Sequence, residues 1–284
     1  MIRIIDTTAQ IESLFDNQRF SIDKWERYIN SILPNSAYIF KNDLNECFAS
    51  GDYTFDKDFL PIINAVYKNP KAEKLHTSFL SVMEELNNKI LGLFNRELDV
   101  DIVLYLGLCN AAGWATEING KSMVLLGIEK IIELDWCSED DMRGLIYHEL
   151  GHIFHKTYGI YEQPVRNSSK ALVWLLFKEG FAMYFEQLLV SNTEYYHQDK
   201  NGWKQWCDDH IHQIKYDFNN DLSTMNHQTQ RYFGDYVSYL GYSDVGYYLG
   251  AKFIHYLADK HSIDEIIKFD IGKIFDHYMA FIAQ

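Results

Sequence analysis

The segment His148-Glu149-Leu150-Gly151-His152 sets two imidazoles four residues apart with a carboxylate beside the first. On a helix that spacing projects both histidines from one face, where they can share a cation. Zinc suits two nitrogens and one carboxylate, with the fourth position of its tetrahedron left to water. Glu149, one residue round from His148, is placed to reach that water rather than the metal. Its role would be general base, accepting the proton of a zinc-bound water and passing it to the leaving amine. The chemistry is hydrolysis of an amide. The plain alternative is a helix whose histidines pack at a domain interface.

Glu179 is the candidate third ligand. It lies in Leu175-Leu176-Phe177-Lys178-Glu179-Gly180-Phe181-Ala182-Met183, and its neighbours three and four residues away are Leu176, Leu175, Ala182 and Met183. None offers a local ion pair, and a carboxylate on such a face is costly to bury without a strong partner. A bound zinc is one such partner; a distant Arg or Lys, or exposure of that face, is the other reading. Glu186, two turns further on, also lacks a basic neighbour at helical spacing. It reads either as the acceptor for the second N–H of a ligand imidazole or as an ordinary surface glutamate.

Taken in order, His148-Glu149-Leu150-Gly151-His152 and then Trp174, Glu179-Gly180-Phe181-Ala182, Tyr184 and Glu186 resemble the gluzincin metallopeptidases. The similarity is to aminopeptidase N-like enzymes and to uncharacterised bacterial predicted zinc proteases. It implies a thermolysin-like catalytic core, zinc on His148, His152 and Glu179, and Glu149 as general base. Tyr247-Tyr248-Leu249-Gly250-Ala251 looks like the family's Tyr-x-x-Gly segment, which implies Tyr247 as hydrogen-bond donor to the oxyanion. A phenol aimed at developing charge in a dry site suits that role. The resemblance covers roughly residues 111 to 257. The gap between His152 and Glu179 is longer than in the family, and Tyr161-Glu162-Gln163-Pro164 within it suggests an inserted loop. No G-x-M-E-N motif precedes the site. Gly113-Trp114-Ala115-Thr116-Glu117 is the nearest stretch, with Glu117 the substitute for that motif's acid. Exopeptidase and endopeptidase action both stay open.

The elements that must position these residues are partly legible. Ile102 to Leu106 and Met123 to Ile128 read as strands, with turn signals at Ala111-Ala112-Gly113-Trp114 and Asn119-Gly120 between them. Ser122 to Leu126 would be either an edge strand that pairs with an extended substrate or an internal strand of a buried sheet. Ser138-Glu139-Asp140-Asp141 is a helix start, with Ser138 as N-cap and acids in the first turn. A second apolar helix is expected from about Ser169 to Val190. The polar, aromatic-rich stretch from Ser191 to about Tyr242 gives no clear pattern. Helix returns from about Ser243 to Ala258 and again after Ser262. The first hundred residues look helical, with Leu75 to Phe94 one amphipathic stretch carrying Phe79, Val82, Met83, Leu86, Ile90 and Leu93. The expectation is an α+β protein, mainly helical with a small mixed sheet. A helical N-terminal region would span 1–100 and a catalytic region 101–284, with one compact unit of both as the alternative.

Composition narrows the partners. Twenty-six basic against 40 acidic side chains give a formal net charge of −14, which leaves no excess of Lys and Arg to displace counterions from nucleic acid. The expected partner is a peptide or small amide substrate. Cys47, Cys109, Cys137 and Cys207 form no CxxC pair and read as reduced thiols. No signal-peptide pattern opens the chain, and the longest apolar run, Ala171 to Phe177, is too short to span a bilayer, so a cytoplasmic protein is expected. His155 and Tyr158 stand where a metzincin needs Gly and a third His, which excludes that class. Cys207, His210 and His212 match no zinc-finger spacing, and His255 reads as core or rim. A zinc peptidase is therefore the main expectation. The alternatives are a catalytically degenerate zinc- or peptide-binding protein and a zinc hydrolase of non-peptide amides.

Overall fold

The computed structural model describes residues 1–49, 51–226 and 228–284. The chain is mainly helical with a small mixed sheet, the α+β class expected, and divides into two compact units, Met1–Glu149 and Leu150–Gln284.

The first unit begins with β1 (Ile2–Asp6), a short hairpin of β2 (Phe15–Asp16) and β3 (Arg19–Phe20), and the helices α1 (Ile22–Ile32), α2 (Ala37–Phe48) and α3 (Leu60–Asn64). Next come α4 (Lys71–Met83) and α5 (Leu86–Phe94), then β4 (Val100–Tyr105), β5 (Gly113–Ile118), β6 (Lys121–Gly127) and α6 (Ile128–Glu133). The stretch expected as one helix from Leu75 to Phe94 is broken at Glu84-Glu85. Its apolar face continues across the break because Met83 and Leu86 keep a three-residue spacing; both are buried, whereas Leu93 is exposed.

The sheet runs in the order β1-β4-β6-β5, with β1, β4 and β6 parallel and β5 antiparallel to β6. All six residues of β4 are buried, as befits a strand covered on both faces. Asp101 within it has no exposure, and its carboxylate is met by Arg3 and by Lys121 Nζ at 2.6 Å. Because β1 pairs along its whole length with β4, residues before 100 contribute to the sheet of the first compact unit, which ends at Glu149. The N-terminal helices also grip the end of β4: Trp25 Nε1 donates to the Leu106 carbonyl at 2.9 Å, and the Leu106 N–H donates to the Tyr28 hydroxyl at 3.0 Å.

Ser122 to Leu126 lies in β6, an internal strand; the edge beside it is β5. Asn119 and Gly120 make the two-residue turn between these strands, both with positive φ (54° and 75°), the conformation that Asn-Gly hairpins favour. Gly113-Trp114, read as part of a turn, opens β5. The loop before β5 is anchored by Glu129, a buried carboxylate that accepts the N–H groups of Gly107 at 2.8 Å and Cys109 at 2.9 Å.

The helix α7 (Glu139–Tyr158) runs through the division between the units. The second unit continues with α8 (Ser168–Val190), α9 (Trp203–Asp221), α10 (Val245–Ala258), α11 (Ile263–Ile266) and α12 (Ile271–Ile282). Within it, α8 packs most extensively against α10. No disulfide links the four cysteines, and no helix among the described residues is long and apolar enough to cross a membrane.

Candidate metal centre

Helix α7 starts where Ser138 caps it. The Ser138 hydroxyl accepts the Asp141 N–H at 3.1 Å, while the Asp141 carboxylate receives the Ser138 N–H at 3.3 Å, a reciprocal box that satisfies two otherwise orphaned donors. Glu139, Asp140 and Asp141 lie in the first turn, where negative charge complements the helix dipole. Two turns later the helix presents His148, Glu149 and His152, all buried.

Helix α8 starts at Asn167, whose side chain accepts the Lys170 N–H at 2.9 Å. Small residues let its middle come close to its neighbours. A Cβ on Gly151 would sit 2.7 Å from Ala182 Cα, so the glycine inside the histidine motif is what allows α8 to approach α7. A Cβ on Gly180 would sit 2.3 Å from the Gly250 carbonyl oxygen, so α8 and α10 cross backbone to backbone. Glu179, beside that crossing, brings its Oε2 to 3.2 Å from His152 Nε2.

His148, His152 and Glu179 each offer one ligand atom, and these atoms lie within 4.8 Å of one another. Donors bound to one tetrahedral zinc at about 2.0–2.1 Å stand about 3.3 Å apart, so the 3.2 Å between His152 and Glu179 suits a shared ion. Two imidazoles and a carboxylate are a donor set that fits zinc. The other nitrogen of His152 faces the Tyr161 hydroxyl at 3.4 Å. Tyr161 is itself held by α8: Trp174 Nε1 donates to its carbonyl at 3.3 Å, and the Lys178 ammonium lies 4.8 Å from its ring centroid.

Glu149 sits in the first unit's environment. Its Oε2 accepts the Ala115 N–H of edge strand β5 at 2.8 Å. Gly113, two residues earlier, has no room for a side chain: a Cβ there would meet Glu149 Oε1 at 2.6 Å and Leu145 Cδ1 at 2.7 Å. The carboxylate is therefore seated by the strand rather than free to swing.

Glu186 is not a surface residue; it has no exposure. Both of its oxygens face His197 Nδ1, at 2.9 and 3.1 Å. His148, Glu186 and His197 form a second group whose ligand atoms lie within 4.8 Å of one another. Tyr247 stands in the first turn of α10, its ring edge-on to Phe233 with centroids 5.6 Å apart. It lies three residues before Gly250, and Glu179 one residue before Gly180, so both flank the α8–α10 crossing. Glu117 is exposed on β5. Cys207 and His210 lie on α9, Cys207 buried and His210 stacked on Trp206, and His255 Nε2 faces the Gln187 side-chain oxygen at 2.7 Å.

His155 sits one turn beyond His152, fully buried among Tyr161, Phe177 and Phe181 with ring centroids 5.0 to 5.3 Å away. Loss of hydration pushes its pKa down to about 3, with the positive field of His152 and Lys178 adding to the effect. It is a neutral core residue.

Sequence reasoning missed Tyr161, His197, Gly113 and Ala115. Tyr161 had only the signal of an inserted loop, and His197 had none, because it lies in the stretch that shows no periodicity. No protein-family model matches the chain, and comparisons with curated proteins and with solved structures find no match.

Proposed function

We propose that this chain is a zinc-dependent peptidase with a gluzincin-type core, in which His148, His152 and Glu179 hold the metal and Glu149 is the general base. The observation that carries the reading is the convergence within 4.8 Å of two buried imidazoles on α7, the helix that also bears the buried Glu149, with the Glu179 carboxylate on α8. Purely structural zinc sites close the fourth position with a protein ligand and need no base; two imidazoles, one carboxylate and an adjacent glutamate are the pattern of a hydrolytic site.

When bound, zinc supplies Lewis acidity that lowers the pKa of water and polarises a carbonyl. Glu149 takes the proton of the attacking water and delivers it to the departing amine. The Ala115 N–H fixes the position of the Glu149 carboxylate. The outer edge of β5 offers an extended substrate backbone a strand to pair with. Tyr247, on the helix that crosses α8 beside Glu179, donates its phenol to the oxyanion.

The test is zinc content, followed by cleavage of a peptide library by the wild type and Glu149→Gln. One zinc per chain with turnover that disappears in the variant supports the reading. Zinc bound without turnover of any peptide favours a binding protein, and zinc that survives loss of both His148 and Glu179 rejects the ligand set.

A further inference from the structure

A carboxylate withdrawn from water must be met by donors or a cation, and Glu186 is wholly withdrawn. His197 meets it twice. Its ring Nδ1 lies 2.9 and 3.1 Å from the two carboxylate oxygens, and its backbone N–H donates to Oε1 at 3.3 Å. His197 is not on α8 with Glu186; the chain has to return to deliver it. Helix α8 ends at Ser191 in the left-handed region, and the Asn192 N–H closes back on the Gln187 carbonyl at 3.0 Å. The Gln187 amide then donates to the Tyr195 carbonyl at 3.0 Å, and Lys204 reaches Glu194 at 2.7 Å from the start of α9. The segment carrying His197 is thus tied down on both sides, and His197 itself is buried.

An imidazole that binds a metal through one nitrogen carries a proton on the other. The acceptor for that proton fixes both tautomer and ring plane. For His152 the partner is the Tyr161 hydroxyl. For His148, both Glu179 and Glu186 bring a carboxylate oxygen within 4.8 Å of a ring nitrogen; Glu179 is assigned to the metal, which leaves Glu186 as the candidate acceptor. We propose that His197, through Glu186, is the positioning residue for His148: it orients the carboxylate that accepts the second N–H of this ligand imidazole. The proposal rests on the metal-centre reading above.

A second metal ion held by His148, Glu186 and His197 is the competing chemistry for this trio. His197 Nδ1 donates its proton to Glu186, since an ionised carboxylate can only accept, so His197 would have to give up that proton to ligate an ion through this nitrogen. His148 would also have to give up its remaining ring proton to serve two ions.

The full-length chain tests this. Zinc affinity is measured by chelator competition, and cobalt(II) absorption reports the ligand geometry, for the wild type, His197→Asn, His197→Gln, Glu186→Gln and the double variant His197→Gln/Glu186→Gln. Asn places an amide N–H near the position of Nδ1, whereas Gln places it near Nε2. The expected result is one zinc in the wild type and affinity about 10–100-fold weaker with shifted cobalt bands in His197→Gln. His197→Asn stays close to the wild type, and the double variant is no weaker than Glu186→Gln alone. Should His197→Gln fail to fold, Glu186→Gln against His197→Asn carries the same comparison. Unchanged affinity and bands in both Gln variants overturn the proposal, as does equal loss in His197→Asn and His197→Gln. Two zinc ions in the wild type falling to one in His197→Gln overturn it in favour of the second metal. A wild type that binds no zinc rejects the metal centre itself, before any substitution is compared.

Discussion

Glu149 is buried, accepts one backbone N–H and lies one residue from the proposed ligand His148, so its removal is expected to separate binding from chemistry. Glu149→Gln should retain stoichiometric zinc while lowering kcat by about 10²–10⁴-fold, the range general-base catalysis supplies, as measured on any peptide the wild type cleaves. Tyr161→Phe should act in the opposite way, weakening zinc affinity by about tenfold through loss of the His152 partner, as read by chelator competition. His155 gives a prediction in pH. Its pKa is about 3 in the folded chain and about 6.5 when unfolded, so between these values the unfolded state binds the extra proton. Stability is therefore lost as pH falls from about 6.5 towards 3, by up to about 1.4 kcal/mol per unit. His155→Leu should flatten that slope in urea titrations at pH 7 and pH 5; an unchanged slope would assign the acid sensitivity to other groups. At this scale what the sequence offers is local: His148, Glu149 and His152 are proposed from one helical turn, and Glu179 from an apolar stretch with no basic residue three or four positions away. Tyr161 and His197 act across loops, and no spacing along the chain encodes the distance at which they meet His152 and Glu186.

Helices α7, α8 and α10 owe their closeness to residues with little or no side chain. Gly180→Ala would place a methyl 2.3 Å from the Gly250 carbonyl oxygen. Alanine favours a helix over glycine by about 1 kcal/mol, yet overpacking a fixed crossing costs about 1–3 kcal/mol or more. The clash should win, lowering the urea midpoint and, because Glu179 is the adjacent residue, weakening zinc as well. A more stable Gly180→Ala protein would mean that the helices can separate freely. The start of α7 was legible because its cap is local, Ser138 with Asp141, whereas α8 was read from its apolar run and its Asn167 cap was not. Sheet order was not legible. Alternating or apolar runs identify β4 and β6, but nothing in them says that β1, nearly a hundred residues earlier, pairs with β4, or that the edge beside β6 is formed by a segment that begins with Gly113-Trp114.

For the molecule as a whole, a metal that binds only the folded chain adds RT ln(1 + [L]/Kd) to its stability, about 2.7 kcal/mol at a hundredfold excess over Kd. Chelation should therefore lower the melting temperature of the wild type, and zinc should restore it; the shift should vanish in Glu179→Ala. A shift that persists there would place the stabilising ion elsewhere. The net charge of −14 keeps copies apart in solution, but it does not protect every surface equally. Strand β5 ends the sheet, and an outer strand with open N–H groups is a template on which another chain can polymerise. Glu149 occupies one of those groups, the Ala115 N–H, so loss of its carboxylate would leave one more open N–H on that edge. Replacing it with alanine would remove both protections, charge and acceptor, and should give a preparation that forms fibrillar or amorphous aggregates on concentration, visible by light scattering. Glutamine, whose carbonyl can still accept that N–H, should stay monodisperse, and it is the substitution from which loss of turnover can be read without confusing inactivity with loss of protein.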